Sequence, residues 1–260
     1  MEDKAILSVS LVVYKNNPEL LRKVISSIFE TPFKIHMTVV DNSPTSQLST
    51  LFSGVKNIDY LYNDSNNYGF GKAHNIAINH FNARYHLVVN PDVYFNANVI
   101  PELIKYLESN QDIGLISPII YYPNGEIQYL CKRYPSIFLL FARRFIPKKL
   151  QILFQKHLDW YEMRDIGYGN VMDVPYLSGC FMLFRRKYLD EIGYFDENIF
   201  MYLEDADITL RMSRKYRTVF YPHVHIFHHW GKGSYKSFKL MMINIQSAIY
   251  FFNKHGWFLF

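Results

Sequence analysis

The chain has 260 residues, 49% of them hydrophobic and 17% aromatic, with 21 Tyr and 21 Phe, which allows one large core with an appended lobe and suggests broad apolar walls. A formal charge of +5 points toward anionic partners such as nucleotide diphosphates, lipid phosphates or an anionic membrane surface. The basic residues fall in short clusters without a nucleic-acid motif, which argues against nucleic acid.

Cys131 and Cys180 are far apart and lack metal-type spacing, so they read as free thiols of a reducing compartment. Glu2, Asp3 and Lys4 do not resemble a signal peptide, and no window approaches the roughly 18 apolar residues of a membrane span. A cytoplasmic protein is expected.

Ile6 to Val13 reads as a buried strand closed by Tyr14-Lys15-Asn16-Asn17-Pro18, with Pro18 opening a helix through about Phe29. Ile35 to Val40 is a second strand ending at Asp41-Asn42-Ser43-Pro44, and Ile58 to Leu61 a third. Strands alternating with helices imply a parallel sheet with helices on its faces. Ligands of such sheets lie beyond the carboxyl ends of the strands, which puts Tyr14, Asp41 and Asn42 on the ligand side. Asp41 either accepts hydrogen bonds from a base or ribose or closes an Asx-turn.

Asn66 to Asn75 leads into a helix through about Asn82, and Gly69 and Gly71 would let backbone amides approach a phosphate at its N-terminus. The Rossmann spacing is not met. The strand His86 to Val89 runs into Asn90-Pro91-Asp92, where Pro91 stops the ladder and presents Asp92 as a metal-binding carboxylate or a turn residue. Asn98 caps a helix with Pro101 in its first turn that ends by Asn110. Ile113 to Tyr122 is strand, and Pro123-Asn124-Gly125-Glu126 a hairpin turn.

Lys132 to His157 mixes Arg133, Arg143, Arg144, Lys148, Lys149 and Lys156 with many apolar residues, the composition of a membrane-interface segment or of a core helix with a basic rim. Leu177 to Gly179 is a small-residue turn feeding a strand, and Gly179 marks close approach of the backbone to a ligand or another segment. A helix from Lys187 to Ile192 delivers the chain to Gly193 through Tyr202, an aromatic stretch that would desolvate a nearby carboxylate.

Next comes Glu204-Asp205-Ala206-Asp207, at the start of a helix expected from Asp207 to Tyr216, with Leu203, Ala206, Leu210 and Ser213 as its inward stripe. Its carboxylates are either a capped helix start or a candidate general base beside a cleft. Thr218 to Tyr221 resumes a strand, and period-two alternation then turns Val224, Ile226 and His228 inward. The Gly-Lys-Gly-Ser that includes Lys232 suits phosphate oxygens. A helix from Ser237 to Asn253 precedes the aromatic end Trp257 to Phe260, which docks on the protein or at a lipid headgroup layer.

In this order and spacing, several pieces resemble the family 2 glycosyltransferases of the GT-A fold, in particular the rhamnosyltransferase-like branch of bacterial surface-polysaccharide synthesis. They are Tyr14 with Asn16, Val39 to Ser43, Asn66 to Asn75, Asn90-Pro91-Asp92, Ser178-Gly179, Gly193 to Glu197, Glu204 to Asp207, and His228 with Gly231 and Ser234. The resemblance implies an α/β fold with a mostly parallel central sheet flanked by helices and a C-terminal helical lobe. It divides the chain into a catalytic domain over 1–235, with a nucleotide-sugar half to about 122 and an acceptor half after it, and a helical segment over 236–260.

By the same resemblance, Asp41 contacts the nucleotide base, Asp92 ends the Asp-x-Asp metal motif, His228 is a further metal ligand and Asp205 the general base. The donor is expected against Tyr14, Asn16, Asp41, Asn42, Gly69, Gly71, Lys72, Asn75, Asn90, Lys232 and Ser234. The acceptor is expected against Ser178, Gly179, Glu204, Asp207, Arg211 and Trp230. Asn90 departs from the family, where the first acid of the motif stands.

The implied cofactor is Mg²⁺ or Mn²⁺ on the diphosphate of a nucleotide sugar, dTDP-L-rhamnose first and a UDP-hexose or UDP-galactofuranose second. The implied partners are a lipid-linked oligosaccharide and the inner face of the cytoplasmic membrane. A nucleotidyltransferase and a non-catalytic sugar- or lipid-phosphate-binding module are the competing readings.

Overall fold

The computed structural model describes residues 5–140, 146, 152–231 and 237–258. Apolar strands and amphipathic helices alternate through the first half: β1 (Leu7–Val13), α1 (Pro18–Phe29), β2 (Ile35–Asp41), β3 (Ile58–Tyr62), α2 (Gly71–His80), β4 (Tyr85–Val89), β5 (Val93–Phe95), α3 (Val99–Ser109) and β6 (Ile113–Tyr121). The second half adds α4 (Gln155–Tyr161), β7 (Met172–Asp173), β8 (Phe181–Arg185), α5 (Arg186–Ile192), α6 (Glu204–Ser213), β9 (Arg217–His228) and α7 (Phe238–His255).

The strands form one sheet in the order β3-β2-β1-β4-β8-β6-β9-β5, with β7 beside β9. Strands β1 to β4, β6 and β9 run in one direction, while β8 is inserted against it and β5 and β7 pair antiparallel with β9. The parallel ends therefore present Tyr14, Asp41, Asn90 and the C-terminus of β9 along one edge.

Two faces of the sheet are covered, as α/β layering requires. Leu7, Val9, Leu11 and Val13 of β1 pack with Leu21, Val24 and Ile28 of α1 and Leu103 and Leu107 of α3. On the other face, Val88, Met182 and Phe184 pack with Ile78, Leu189, Ile208 and Met212 of α2, α5 and α6. Helix α7 completes the C-terminal side: its Phe251 and Phe252 cover Leu203, Ala206 and Leu210, the inward stripe.

Several boundaries follow local chemistry. Asn17 accepts from the Glu19 amide at 2.8 Å and Pro18 opens α1 without needing a donor. Ser237 caps α7. Helix α6 begins at Glu204 and not at Asp207, so all three carboxylates lie in its first turn. The chain enters it through Tyr202 and Leu203, both with positive φ (74° and 67°). Left-handed backbone at two consecutive residues with side chains is costly and persists only where packing imposes it, here the burial of Leu203 against α7.

The glycines after β3 serve packing between segments. Gly69 has φ +78°, and a Cβ there would stand 2.0 Å from the carbonyl oxygen of Phe200; one at Gly71 would stand 2.9 Å from Cβ of Phe195. The amide of Phe70 donates to that Phe200 oxygen at 2.9 Å. Asn75 donates to Phe195 O and accepts from Phe195 N at 2.9 and 3.0 Å, and Asn42 donates to Gly69 O at 2.9 Å. The side-chain amides of Asn42 and Asn75 and the space beside Gly69 and Gly71 are thus taken by the 195–200 segment and the loop before α2.

On the face of β1 opposite its apolar row, Ser8 and Ser10 join two buried histidines. Ser10 Oγ lies 2.7 Å from His74 Nδ1 and 3.0 Å from His86 Nε2, and Ser8 Oγ lies 2.8 Å from His86 Nδ1. Burial lowers the pKa of His74 to about 3 and, helped by the charge of Arg186, holds that of His86 well below its usual value. Both rings are neutral in the fold.

Two predictions follow from this packing. Gly69→Ala combines a strained φ with a backbone clash and should lower unfolding stability by about 2 kcal/mol or more in urea titrations; a loss under about 0.5 kcal/mol would contradict the close approach. The unfolded chain protonates its histidines near pH 6.5 while the folded one does not. Stability therefore falls as pH drops from about 6.5 toward the folded value, by about 1.4 kcal/mol per pH unit for each ring. Between pH 6.5 and 5 the urea midpoint of His86→Gln should decline less steeply than that of the wild type, and equal slopes would remove His86 from the account.

Candidate active site

The edge formed by the parallel strand ends gathers residues that are remote in sequence. Pro91 ends the β4 ladder, and Asp92 is fixed by its carbonyl, which accepts from the His229 amide at 3.0 Å. Val93 pairs with His228 in register. Asp92 Oδ1 consequently faces His228 Nε2 at 3.4 Å. Burial of His228 alongside Val224 and Ile226 follows the alternation of β9.

Gln128 orients that imidazole. Its Nε2 donates to the His228 carbonyl at 2.7 Å, so its Oε1, 3.0 Å from Nδ1, accepts the Nδ1 hydrogen. The Nε2 lone pair is left toward Asp92, the arrangement in which an outer hydrogen bond fixes a metal-ligating histidine. One carboxylate oxygen and one imidazole nitrogen fit a divalent ion whose remaining ligands come from a diphosphate and water. Among the described residues, no group of three or more His, Cys, Asp or Glu could hold a metal. Asn90, where the family carries an acid, donates its amide to Cys180 O at 2.9 Å.

Across the crevice stands Asp205. Its Oδ1 accepts from Tyr176 OH at 3.1 Å and the Ala206 amide at 2.9 Å, and its Oδ2 accepts from the Gly179 amide at 2.9 Å. A Cβ at Gly179 would lie 3.2 Å from Cβ of Asp205, so the close approach expected there is to another segment. Tyr176 is held by its antiparallel bridge to Lys132, whose Nζ lies 4.6 Å from the centre of its ring.

Asp205 and His228 border one cleft of about 220 Å³, lined also by Lys132, Tyr176, Ser178, Glu204, Trp230 and Asn244; Asp92 is not among its lining residues and adjoins it through His228. Trp230 also stacks with Tyr122, ring centres 6.5 Å apart. Sequence reasoning missed Gln128, Lys132, Tyr176 and Asn244 as site residues. Lys132 and Tyr176 carried a faint signal, as extended segments on either side of the hairpin and the Ser178-Gly179 turn; Asn244 comes from a helix distant in sequence.

The desolvated carboxyl is Glu204. It is 6% exposed, and burial followed by the neighbouring Asp205 charge raises its pKa well above the carboxyl range. Asp207 and Arg211 are corrected from acceptor contacts to structural ones. Asp207 is fully buried and bonds Arg211 Nε at 2.8 Å, Lys254 Nζ at 2.7 Å and His255 Nε2 at 2.7 Å. Arg211 spends its other donors on the carbonyls of Ile192, Gly193 and Tyr194. This cluster clamps α7 onto α6.

At the carboxyl end of β2, Asp41 is fully buried and accepts from the Ser43 amide at 2.7 Å and Tyr60 OH at 2.5 Å. Tyr14 is exposed above it, its amide donating to Asn16 Oδ1 at 2.7 Å. Lys72 Nζ lies 3.4 Å from Glu197 Oε2 and 5.3 Å from the ring centre of Tyr68. Lys232 and Ser234 lie outside the described residues.

The profile of Glycosyl transferase family 2 matches residues 8–193. The chain is 26% identical over 243 residues to the N-acetylglucosaminyl-diphospho-decaprenol L-rhamnosyltransferase of Mycobacterium tuberculosis, covering 86% of this chain and 76% of that one. It is 23% identical over 236 residues to Rhamnosyltransferase WbbL of Escherichia coli, covering 84% and 82%.

Among solved structures, the mannosyltransferase PcManGT of Pyrobaculum calidifontis in complex with GDP-Man and Mn²⁺ superposes with a TM-score of 0.65 at 16% identity. That match covers 98% of this chain, which spans 65% of the mannosyltransferase. Residues 1–349 of S. aureus TarS with UDP-GlcNAc give 0.60 at 18% identity, covering 95% and 66%. The fold is GT-A, and the chain belongs to glycosyl transferase family 2.

Proposed function

We propose that this glycosyltransferase inverts configuration as it moves L-rhamnose from dTDP-L-rhamnose to a hydroxyl of a lipid-linked bacterial surface glycan, O-antigen or capsule, with Asp205 as general base. The observation that carries the reading is the Asp205 carboxylate, pinned by three donors on the wall of the crevice that also holds His228. A carboxylate offers about four lone-pair positions, so one remains for an acceptor hydroxyl. The names of the two rhamnosyltransferase relatives support the sugar, and that of the mycobacterial one a polyprenyl-diphosphate acceptor. A UDP-hexose or UDP-galactofuranose would use the same groups.

The acceptor hydroxyl would approach the anomeric carbon from the side opposite the nucleotide and pass its proton to Asp205, one displacement giving one inversion. Tyr176 and the Gly179 amide hold the base still while this happens. Asp92 and His228 would hold Mg²⁺ or Mn²⁺, the histidine favouring Mn²⁺ modestly, and the bound ion would offset charge on the leaving diphosphate. Exposed Tyr14 would meet the nucleotide base, and buried Asp41 would shape that end through its bonds to Ser43 and Tyr60.

A lipid-linked acceptor would bring the crevice to a membrane, and the described surface carries several exposed apolar residues. Ile152, Leu153 and Phe238 are each more than 70% exposed, and Trp160, Trp257 and Phe258 about half exposed. The Ile137 amide donates to Phe258 O, and Phe138 touches the Phe154 ring, which joins the 152–154 turn to the C-terminus. No helix among the described residues is long and apolar enough to cross a membrane. We place the protein at the inner face of the cytoplasmic membrane, held by this apolar surface. Arg143, Arg144, Lys148 and Lys149 fall outside the described residues.

Asp205→Asn should lower transfer by about 10²–10⁴-fold while leaving nucleotide-sugar binding within about twofold. A variant that keeps a large fraction of transfer would remove Asp205 as base. Release of pyrophosphate would instead indicate a nucleotidyltransferase, and no product at all a binding module. The double variant Ile152→Glu, Leu153→Glu should sediment severalfold less with phosphatidylglycerol vesicles while nucleotide-sugar binding stays unchanged; equal sedimentation would return that turn to an ordinary surface role.

A further inference from the structure

Glu204 is a buried carboxyl that the reaction scheme leaves unused. Its side chain is more than nine-tenths buried, it borders the crevice, and its Oε2 has no hydrogen-bond partner among the described residues. Buried polar atoms are nearly always paired, and an orphan on the wall of a substrate cleft is one that a substrate can complete.

The protonation of the pair follows from its hydrogen bonds. Asp205 receives three donors and is stabilised as an anion. Two adjacent carboxylates in a desolvated cleft do not both ionise, so the proton resides on Glu204, the more buried of the two, whose Oε2 has no partner among the described residues. The groups facing Glu204 across the crevice are Lys132 and Tyr176 on the paired segments, Tyr161 on α4 and His228 on β9. Lys132 is the single lysine or arginine bordering the cleft among the described residues, and it stacks on the Tyr176 ring. A second anion here would also repel the donor diphosphate, whereas an uncharged acid does not.

We infer that Glu204 works as an uncharged carboxylic acid that hydrogen-bonds a polar group of the acceptor sugar beside the attacked hydroxyl, and so selects acceptors carrying a hydroxyl or amide at that position. This rests on Asp205 being the base. Glu204 directly precedes Asp205 in the first turn of α6, and Asn244 of α7 borders the same cleft, so the group it reads lies next to the reacting oxygen. Kept neutral by its surroundings, a carboxylic acid can donate as well as accept, a role a carboxylate cannot fill.

The test compares wild type, Glu204→Gln and Glu204→Ala with dTDP-L-rhamnose and a short-chain prenyl-diphospho-N-acetylglucosamine. E204Q, which keeps both a donor and an acceptor, should stay within about threefold of wild type in kcat and acceptor KM. E204A should raise acceptor KM by about tenfold or more with donor KM unchanged. The wild type should lose activity at alkaline pH as Glu204 ionises, and E204Q should lack that limb. An alkaline limb retained in E204Q, equal damage in both variants, or a shift in donor KM would overturn the assignment.

A readout independent of turnover separates this proposal from the functional reading it rests on. Infrared difference spectra at pH 7 should contain a protonated-carboxyl band in the wild type that is missing from E204Q, whichever sugar the enzyme uses. Absence of that band would overturn the neutral acid even if transfer is observed. A band present without transfer to any acceptor would overturn the acceptor role and the reaction while leaving the proton in place. Thermal shifts with dTDP establish that both variants fold.

Discussion

Everything at the active edge depends on one carboxylate being met by hydrogen-bond donors from three parts of the chain. Asp205 takes the Gly179 amide from the turn before β8, the Tyr176 hydroxyl from the segment bridged to Lys132, and the Ala206 amide of its own helix. Backbone can approach this closely only because residue 179 lacks a side chain, and the helix can present its first turn there only because Tyr202 and Leu203 accept left-handed backbone. Strain at the helix entrance, burial of Leu203 and the position of the Asp205 carboxylate are thus one structural fact.

That fact is secured from the other side by α7. Lys254 bonds Asp196 at 2.6 Å and Asp207 at 2.7 Å, Tyr250 bonds Asp196 at 3.0 Å, and Ser247 donates to Met201 O at 2.8 Å. Burial opposes the charge on Asp196, yet the bond from Lys254 and those from Asn198 and Tyr250 bring its pKa down to about 2. Asp207 is likewise buried and likewise held low, by Arg211, Lys254 and His255. Buried charges of this kind do little for net stability when compared with apolar packing, but they specify one geometry, and removal of one partner leaves the other uncompensated. The C-terminal helix is therefore an integral part of the fold beside the crevice, which its Asn244 lines.

Much of this could be read from the residues alone where local chemistry decides the outcome. The bounds of β1, α1 and β2, the Gly125 hairpin and the inward turn of His228 all follow from periodicity and turn chemistry, which act over a few residues. Asp92 could be placed because Pro91 must end a ladder. Long-range packing hid the rest. Gly69 and Gly71 look like a phosphate cradle in isolation, but the space above them belongs to Phe200 and Phe195, more than a hundred residues later. Asp207 and Arg211 look like a polar pair free for a ligand until α7 supplies Lys254 and His255. The start of α6 at Glu204 was obscured because the non-glycine residues before it adopt a conformation that propensity counts against.

The charge balance of the crevice links its parts. Asp205 lines the crevice and Asp92 adjoins its His228, and an entering nucleoside diphosphate would add negative charge, against Lys132 as the lysine or arginine at the wall among the described residues. Position 90 is an asparagine, and Oε2 of the buried carboxyl at 204 has no partner among the described residues, so in the proposed reading neither position adds negative charge. A protein offering only one carboxylate and one imidazole to a divalent ion binds it weakly unless the diphosphate is present to share it. In the proposed reaction Asp92 and His228 would share such an ion with the diphosphate, and it would offset the leaving group's charge beside the Asp205 carboxylate.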